Sequence, residues 1–191
     1  HATRPYDAGR FEVCNHKWTA LTEESRSAAV LNDCKYGVNV EGNSINLTLL
    51  RSPLAPDMTA DKGKQEFTYA FCCGNGPFKD AGIIQQAYEL NVPVTSINGS
   101  AETASLLSLD AGNVIIETVK PAEDGSGDVV IRLYEAFHNA TSCCLSVGIP
   151  FKKAFETDML ENKVKGIEVK NGSIRLRFRP FEIKTLKLKV K

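Results

Sequence analysis

An all-β chain is predicted by three observations. Apolar residues recur at every second position in runs of four to eight, Gly- and Asn-rich loops separate those runs, and helical spacing occurs once. Phe11 and Val13 alternate with Glu12 and Cys14. A second strand runs from Ala28 to Leu31 and stops at Asn32-Asp33. Gly37 to Val40 and Ile45 to Leu50 flank Glu41-Gly42-Asn43-Ser44, a hairpin loop by composition. Within Ser44 to Leu50, Ile45, Leu47 and Leu49 share one face and Asn46 and Thr48 the other, as in a half-buried antiparallel strand. Glu66 to Cys72 repeats the pattern, with Phe67, Tyr69 and Phe71 on one side.

The single short helix is expected over Phe78 to Leu90. Ile83, Ile84, Ala87 and Leu90 fall near i, i+3, i+4, i+7, Asp80 stands where a cap is needed, and Val92-Pro93 ends the run. Its expected role is to cover one open side of a sandwich.

A composition break at Asn98-Gly99-Ser100 to Gly112 marks a domain boundary, placed at 111/112. Beyond it, Val114 to Val119 and Val129 to Tyr134 flank an exposed loop, Pro121 to Asp128, and Cys143 to Val147 forms a third strand. Gly166 to Val169 and Ile174 to Phe178 flank Lys170-Asn171-Gly172-Ser173. That is an Asn-Gly hairpin, in which Asn tolerates positive φ and Gly has no Cβ. Ile174, Leu176 and Phe178 face one way and Arg175, Arg177 and Arg179 the other, with Lys184, Lys187, Lys189 and Lys191 continuing the basic side. Between Ile183 and Leu186 the apolar phase slips by one, which predicts a β-bulge near Lys184 or Thr185.

The 191 residues, 42% of them hydrophobic, suffice for one large domain or two small ones. With 23 basic and 23 acidic residues there is no net field to draw nucleic acid or an anionic membrane. The basic stripe lacks interleaved aromatics for base stacking and reads as protection of an edge strand. No apolar run approaches the roughly 18 residues of a membrane span. The six cysteines, Cys14, Cys34, Cys72-Cys73 and Cys143-Cys144, include no Cys-x-x-Cys, and His1, His16 and His138 complete no four-ligand zinc spacing. Buried, reduced thiols and a cytoplasmic setting follow. Asn46, Asn98, Asn139 and Asn171 begin Asn-x-Ser/Thr sequons, acceptors only in a secreted chain.

Several blocks in register resemble a known family. They are Leu31-Asn32-Asp33-Cys34-Lys35-Tyr36-Gly37, Leu49-Leu50-Arg51-Ser52-Pro53 and Thr59 to Ala70, preceded by His1, Tyr6 to Val13 and His16-Lys17-Trp18. Asp80-Ala81-Gly82, Ile131 to Ala136, Glu156 to Glu161 and Pro180 to Leu186 follow in order. The series is similar to the C-terminal β region of glycoside hydrolase family 38 α-mannosidases of the cytosolic type, with Tyr6 where Trp is usual. The resemblance implies that residues 1–111 are the last part of a large β-supersandwich and residues 112–191 a smaller terminal sandwich. It also implies a retaining glycosidase whose Asp nucleophile, Asp acid/base and Zn²⁺ lie in an upstream domain, so this chain is expected to hold no catalytic residue and no metal ligand. Starting at His1 inside a matching block, the chain is expected to be a fragment, inert alone, whose partners are the upstream catalytic domain, an α-mannoside through that domain, and a second copy of itself.

Residues that touch substrate should lie on loops reaching the upstream domain. The first set is Arg51, Asp57, Asp61 and Lys62, in a Pro-containing loop where Arg or Asp can hold sugar hydroxyls by charge-assisted hydrogen bonds. In the competing reading Pro53 and Pro56 shape this loop while Asp61 and Lys62 are solvated or bind local backbone. The second set is His1, Tyr6, Asp7 and Arg10. Two other roles stand beside that of an accessory mannosidase domain: an independent carbohydrate-binding module, weakened by a single Trp, and a structural or oligomerisation piece.

Overall fold

The computed structural model describes residues 11–190. The chain divides into two compact units, residues 1–98 and 99–191. The sequence-based division fell at 111/112; the strand Leu107–Leu109 between these points pairs with a strand of the second unit.

The first unit contains β1 (Val13–Cys14), β2 (Trp18–Thr22), β3 (Arg26–Asn32), β4 (Gly37–Glu41), β5 (Ser44–Leu47), β6 (Tyr69–Asn75) and α1 (Ile83–Asn91). They form two three-stranded antiparallel sheets, ordered β1-β4-β5 and β2-β3-β6. The β4–β5 hairpin closes through the anticipated loop, with Glu41 opposite Ser44 and Gly42 at φ 57°. Alternation in β3 sends Ala29 and Leu31 toward α1, where they pack on Ile83 and Ala87. This apolar burial ties the helix to the sheet.

Two expectations are corrected here. The helix starts at Ile83, not Phe78, and Asp80 does not cap it: the N-cap is Gly82, left-handed at φ 65°, without a side-chain bond. Phe78 is held elsewhere, its N–H donating to Thr22 Oγ1 at 2.9 Å and its ring stacking on Trp18 at 5.2 Å, so residues 77–80 form a turn. In β6 the aromatic side is the wet one. Ala70 and Cys72 pack toward α1, whereas Tyr69 and Phe71 are 58% and 71% exposed.

The second unit contains β7 (Leu107–Leu109), β8 (Val114–Pro121), β9 (Val129–Glu135), β10 (Thr141–Val147), β11 (Lys153–Thr157), β12 (Lys163–Ile167), β13 (Val169–Lys170), β14 (Ser173–Phe178) and β15 (Ile183–Lys189). A four-stranded sheet, β13-β14-β10-β7, and a five-stranded sheet, β12-β11-β15-β9-β8, are both antiparallel. Cys143, Leu145, Ile174, Leu176 and Phe178 of the first meet Val114, Ile131, Leu133, Ala154, Leu186 and Leu188 of the second in one core. Each fully buried Leu or Ile contributes roughly 1.5–3 kcal/mol to this core. The Asn-Gly hairpin forms as anticipated, with Asn171 at φ 50° and Gly172 at φ 72°.

No bulge interrupts β15, whose register runs unbroken from Ile183 opposite Tyr134 to Leu188 opposite Val129. The phase slip is absorbed by side chains. Lys184, 9% exposed, takes a core-face position in line with Leu186 and Leu188, and Ile183 is 56% exposed. Lys184 Nζ is neutralised by Glu156 at 3.3 Å and Glu182 at 3.4 Å and lies 5.6 Å from the Phe178 ring centroid. Lys184 therefore leaves the basic stripe, which keeps the exposed Arg175, Arg177 and Arg179. Bulges occur instead between Ile116 and Thr118 and between Glu156 and Thr157.

Candidate functional site

The loop between β5 and β6 carries Arg51, Asp57, Asp61 and Lys62, and the fold fixes its first and last parts to each other. Asp61 Oδ2 accepts the backbone N–H of Arg51 at 2.8 Å and of Ser52 at 2.7 Å. These bonds, Arg51 first, hold the Asp61 carboxyl below the usual carboxylate range. The Arg51 guanidinium pairs with Glu12. Glu12 Oε1 also accepts Thr48 Oγ1 at 2.9 Å, and a Cβ on Gly37 would lie 3.1 Å from that oxygen. Glycine at 37 thus lets the carboxylate close over β4. Arg51 is anchored twice, by its own N–H and by its side chain.

Two shallow depressions, of about 310 Å³ and 300 Å³, share Gly37 and Arg51 in their walls. Tyr36 borders the first and Pro53 and Asp61 the second. The His16 ring meets Tyr36 edge to face at 4.8 Å. This corner offers a fixed cation, a carboxylate and an aromatic ring to a polyol.

Asp57 turns inward on its own loop. Its Oδ1 accepts Thr59 Oγ1 at 2.6 Å and Thr59 N–H at 2.8 Å, and the hydroxyl, then the amide, lower its pKa. Lys62 donates its N–H to the Thr59 carbonyl at 3.0 Å, and its ammonium has no ion-pair partner among the described residues. Arg51 and Asp61 are thus brought together, while Asp57 and Lys62 belong to a separate turn. His1, Tyr6, Asp7 and Arg10 lie outside the described residues. Glu12, Gly37 and Thr48, which build the anchor, were missed as site residues, because pairing across the sheet gives no signal in local spacing.

Cys14 Sγ lies 3.8 Å from His16 Nε2, with Cys14 at the end of β1 and His16 in the bend that follows. Among the described residues no group of three or more His, Cys, Asp or Glu side chains could hold a metal ion. The donor set here does not fit a zinc centre.

Two antiparallel β units, with a polar loop tied back to the sheet through Glu12 and Asp61, define the class of fold and not an activity. A model for the glycosyl hydrolases family 38 C-terminal domain matches residues 1–59, and one for the family 38 C-terminal beta sandwich domain matches residues 113–186. The chain belongs to glycoside hydrolase family 38 and is part of that family's C-terminal region. It is 40% identical to human Alpha-mannosidase 2C1 over 98% of its own length, 36% identical to Alpha-mannosidase G of Dictyostelium discoideum and 31% identical to Alpha-mannosidase of Saccharomyces cerevisiae, each again over 98%. It spans about a fifth of those curated relatives, 19%, 18% and 20% of their lengths. A crystal structure of an alpha-mannosidase from Enterococcus faecalis V583 shares the fold with TM-score 0.71 and 20% identity, over 93% of this chain and 21% of that one.

Proposed function

We propose that this chain is the non-catalytic C-terminal β region of a retaining, zinc-dependent α-mannosidase, which supports the upstream catalytic domain and lends the Arg51 corner to the wall of its cleft. The observation that carries this reading is the order and extent of the match: two C-terminal models in sequence, and 98% of the chain aligned to α-mannosidases several times longer. In this reading the zinc ion and both catalytic carboxylates belong to the upstream domain, with the metal orienting sugar hydroxyls. This chain contributes positioning alone. Arg51, held by Glu12 and by Asp61, presents donors whose direction is set before substrate arrives, and such prepaid order favours productive binding.

A cytoplasmic setting belongs to the same proposal; its support is that all six cysteines are free. An independent sugar-binding module is less well supported, because Trp18 stacks on Phe78 and offers no open aromatic platform.

The test uses the full polypeptide with Arg51→Ala and Asp61→Ala and an aryl α-mannoside. A rise in KM of at least fivefold in Arg51→Ala, with the protein intact by sedimentation, is expected. Turnover and KM within twofold of wild type in both variants would remove the cleft role. Measurable heat with mannobiose on this chain alone would instead favour the binding module.

A further inference from the structure

Among the described arginines, Arg26, Arg51 and Arg179 pair with carboxylates and Arg132 bonds Thr185 and Met159, whereas Arg175 and Arg177 have neither an ion pair nor a hydrogen bond from their side chains. Protection of an edge accounts for charge on β14, but not for what surrounds these two. In register, Arg175 lies opposite Cys144 and Arg177 opposite Ser142, so the four side chains rise from one outer face while Cys143 and Leu176 fill the core. Residues two apart on a strand stand roughly 7 Å apart, within reach of one shared anion. On the far side of β10, Asp110 follows β7, and its Oδ1 accepts the Cys144 N–H at 2.7 Å. Its second oxygen has no partner among the described residues. Two strand spacings, roughly 10 Å, separate this carboxylate's strand from that of Arg175.

These groups line a depression of about 420 Å³, and a second of about 280 Å³ continues from Cys144 and Arg175 to Lys170 and Ser173. Two guanidinium forks match the terminal oxygens of a tetrahedral oxoanion, while a carboxylate across the floor repels a second anionic group and accepts hydroxyl donors. No aromatic ring lines either depression to stack a nucleobase. We propose that this outer face of the second unit is a binding site for a phosphorylated sugar. Arg175 and Arg177 hold the phosphate, and Asp110 accepts sugar hydroxyls at the other end. The site does not depend on the cleft role of Arg51, which lies in the other unit.

The full polypeptide is titrated calorimetrically with glucose 6-phosphate, inorganic phosphate and glucose at constant ionic strength. Binding is expected to be tightest for glucose 6-phosphate, at least fivefold weaker for phosphate and undetectable for glucose. Arg175→Gln and Arg177→Gln, both exposed, are each expected to weaken glucose 6-phosphate at least tenfold. Asp110→Asn keeps an acceptor for the Cys144 N–H and is expected to weaken glucose 6-phosphate at least threefold while leaving phosphate unchanged. The half-buried Cys144 thiol lies between these groups, so saturating glucose 6-phosphate should slow its alkylation by iodoacetamide at least fivefold, read by tandem mass spectrometry. Affinity unchanged in both arginine variants overturns the proposal, as does a Cys144 that resists alkylation in the ligand-free polypeptide, because the face is then covered. Phosphate binding as tightly as glucose 6-phosphate overturns it in favour of a simple anion site.

Discussion

The carboxylate of Glu135, with no exposed surface, accepts the backbone N–H of Phe181 at 3.0 Å, joining the end of β9 to the turn before β15. Its other oxygen takes the N–H of Phe137 and the side-chain amide of Asn113, both at 2.8 Å. One side chain therefore satisfies donors from three separate loops. Replacement by Ala leaves these donors unpaired and should cost about 3 kcal/mol, with Gln losing about 2 because its NH₂ opposes a donor. Urea unfolding of Glu135→Ala and Glu135→Gln checks the order.

The same residue gives a pH dependence. Burial raises its pKa, but the N–H groups of Phe181 and Phe137 and the Asn113 amide outweigh it, so the folded value lies below the usual 4.5. A depressed carboxyl stabilises the fold above the unfolded pKa, and this contribution is lost as pH falls through the folded value. Wild type should lose stability more steeply than Glu135→Gln between about pH 5 and pH 3. Parallel melting curves across that range would contradict it.

Lys184 should respond asymmetrically to substitution. Glu156 keeps Lys165 at 3.1 Å and Glu182 keeps Arg179 at 3.3 Å when Lys184 becomes Met, so the change should cost no more than about 1 kcal/mol. Lys184→Glu places a third carboxylate beside the other two and should cost about 3 kcal/mol or more. Thermal melts of the two variants separate these outcomes.

Cys143 should be the slowest thiol. Burial, then Asp110 and Cys144, push it up to about 11, which leaves about one thousandth as thiolate at pH 8. Native alkylation at pH 8 should modify Cys14 and Cys73 well before Cys143, and urea should erase the difference.

Much of this protein is legible one strand at a time. Alternation located most of the strands of both units, and the Asn-Gly pair fixed the β13–β14 turn, because period and positive φ are properties of adjacent residues. Ordered blocks likewise carried the family assignment. Which face of a strand is wet is not local information: Phe71 looks inward by hydropathy and faces solvent, since α1 lies over Ala70 and Cys72. Lys184 breaks the apolar phase without a bulge because Glu156 and Glu182, distant or adjacent in sequence, supply its counter-charges only once β11 and β15 pair. Arg51 was recognisable as a candidate by type and loop. Its orientation was decided by Glu12 from β1's approach and Asp61 from the loop's return, because hydrogen bonds between residues far apart in the chain exist only after the backbone has brought them together.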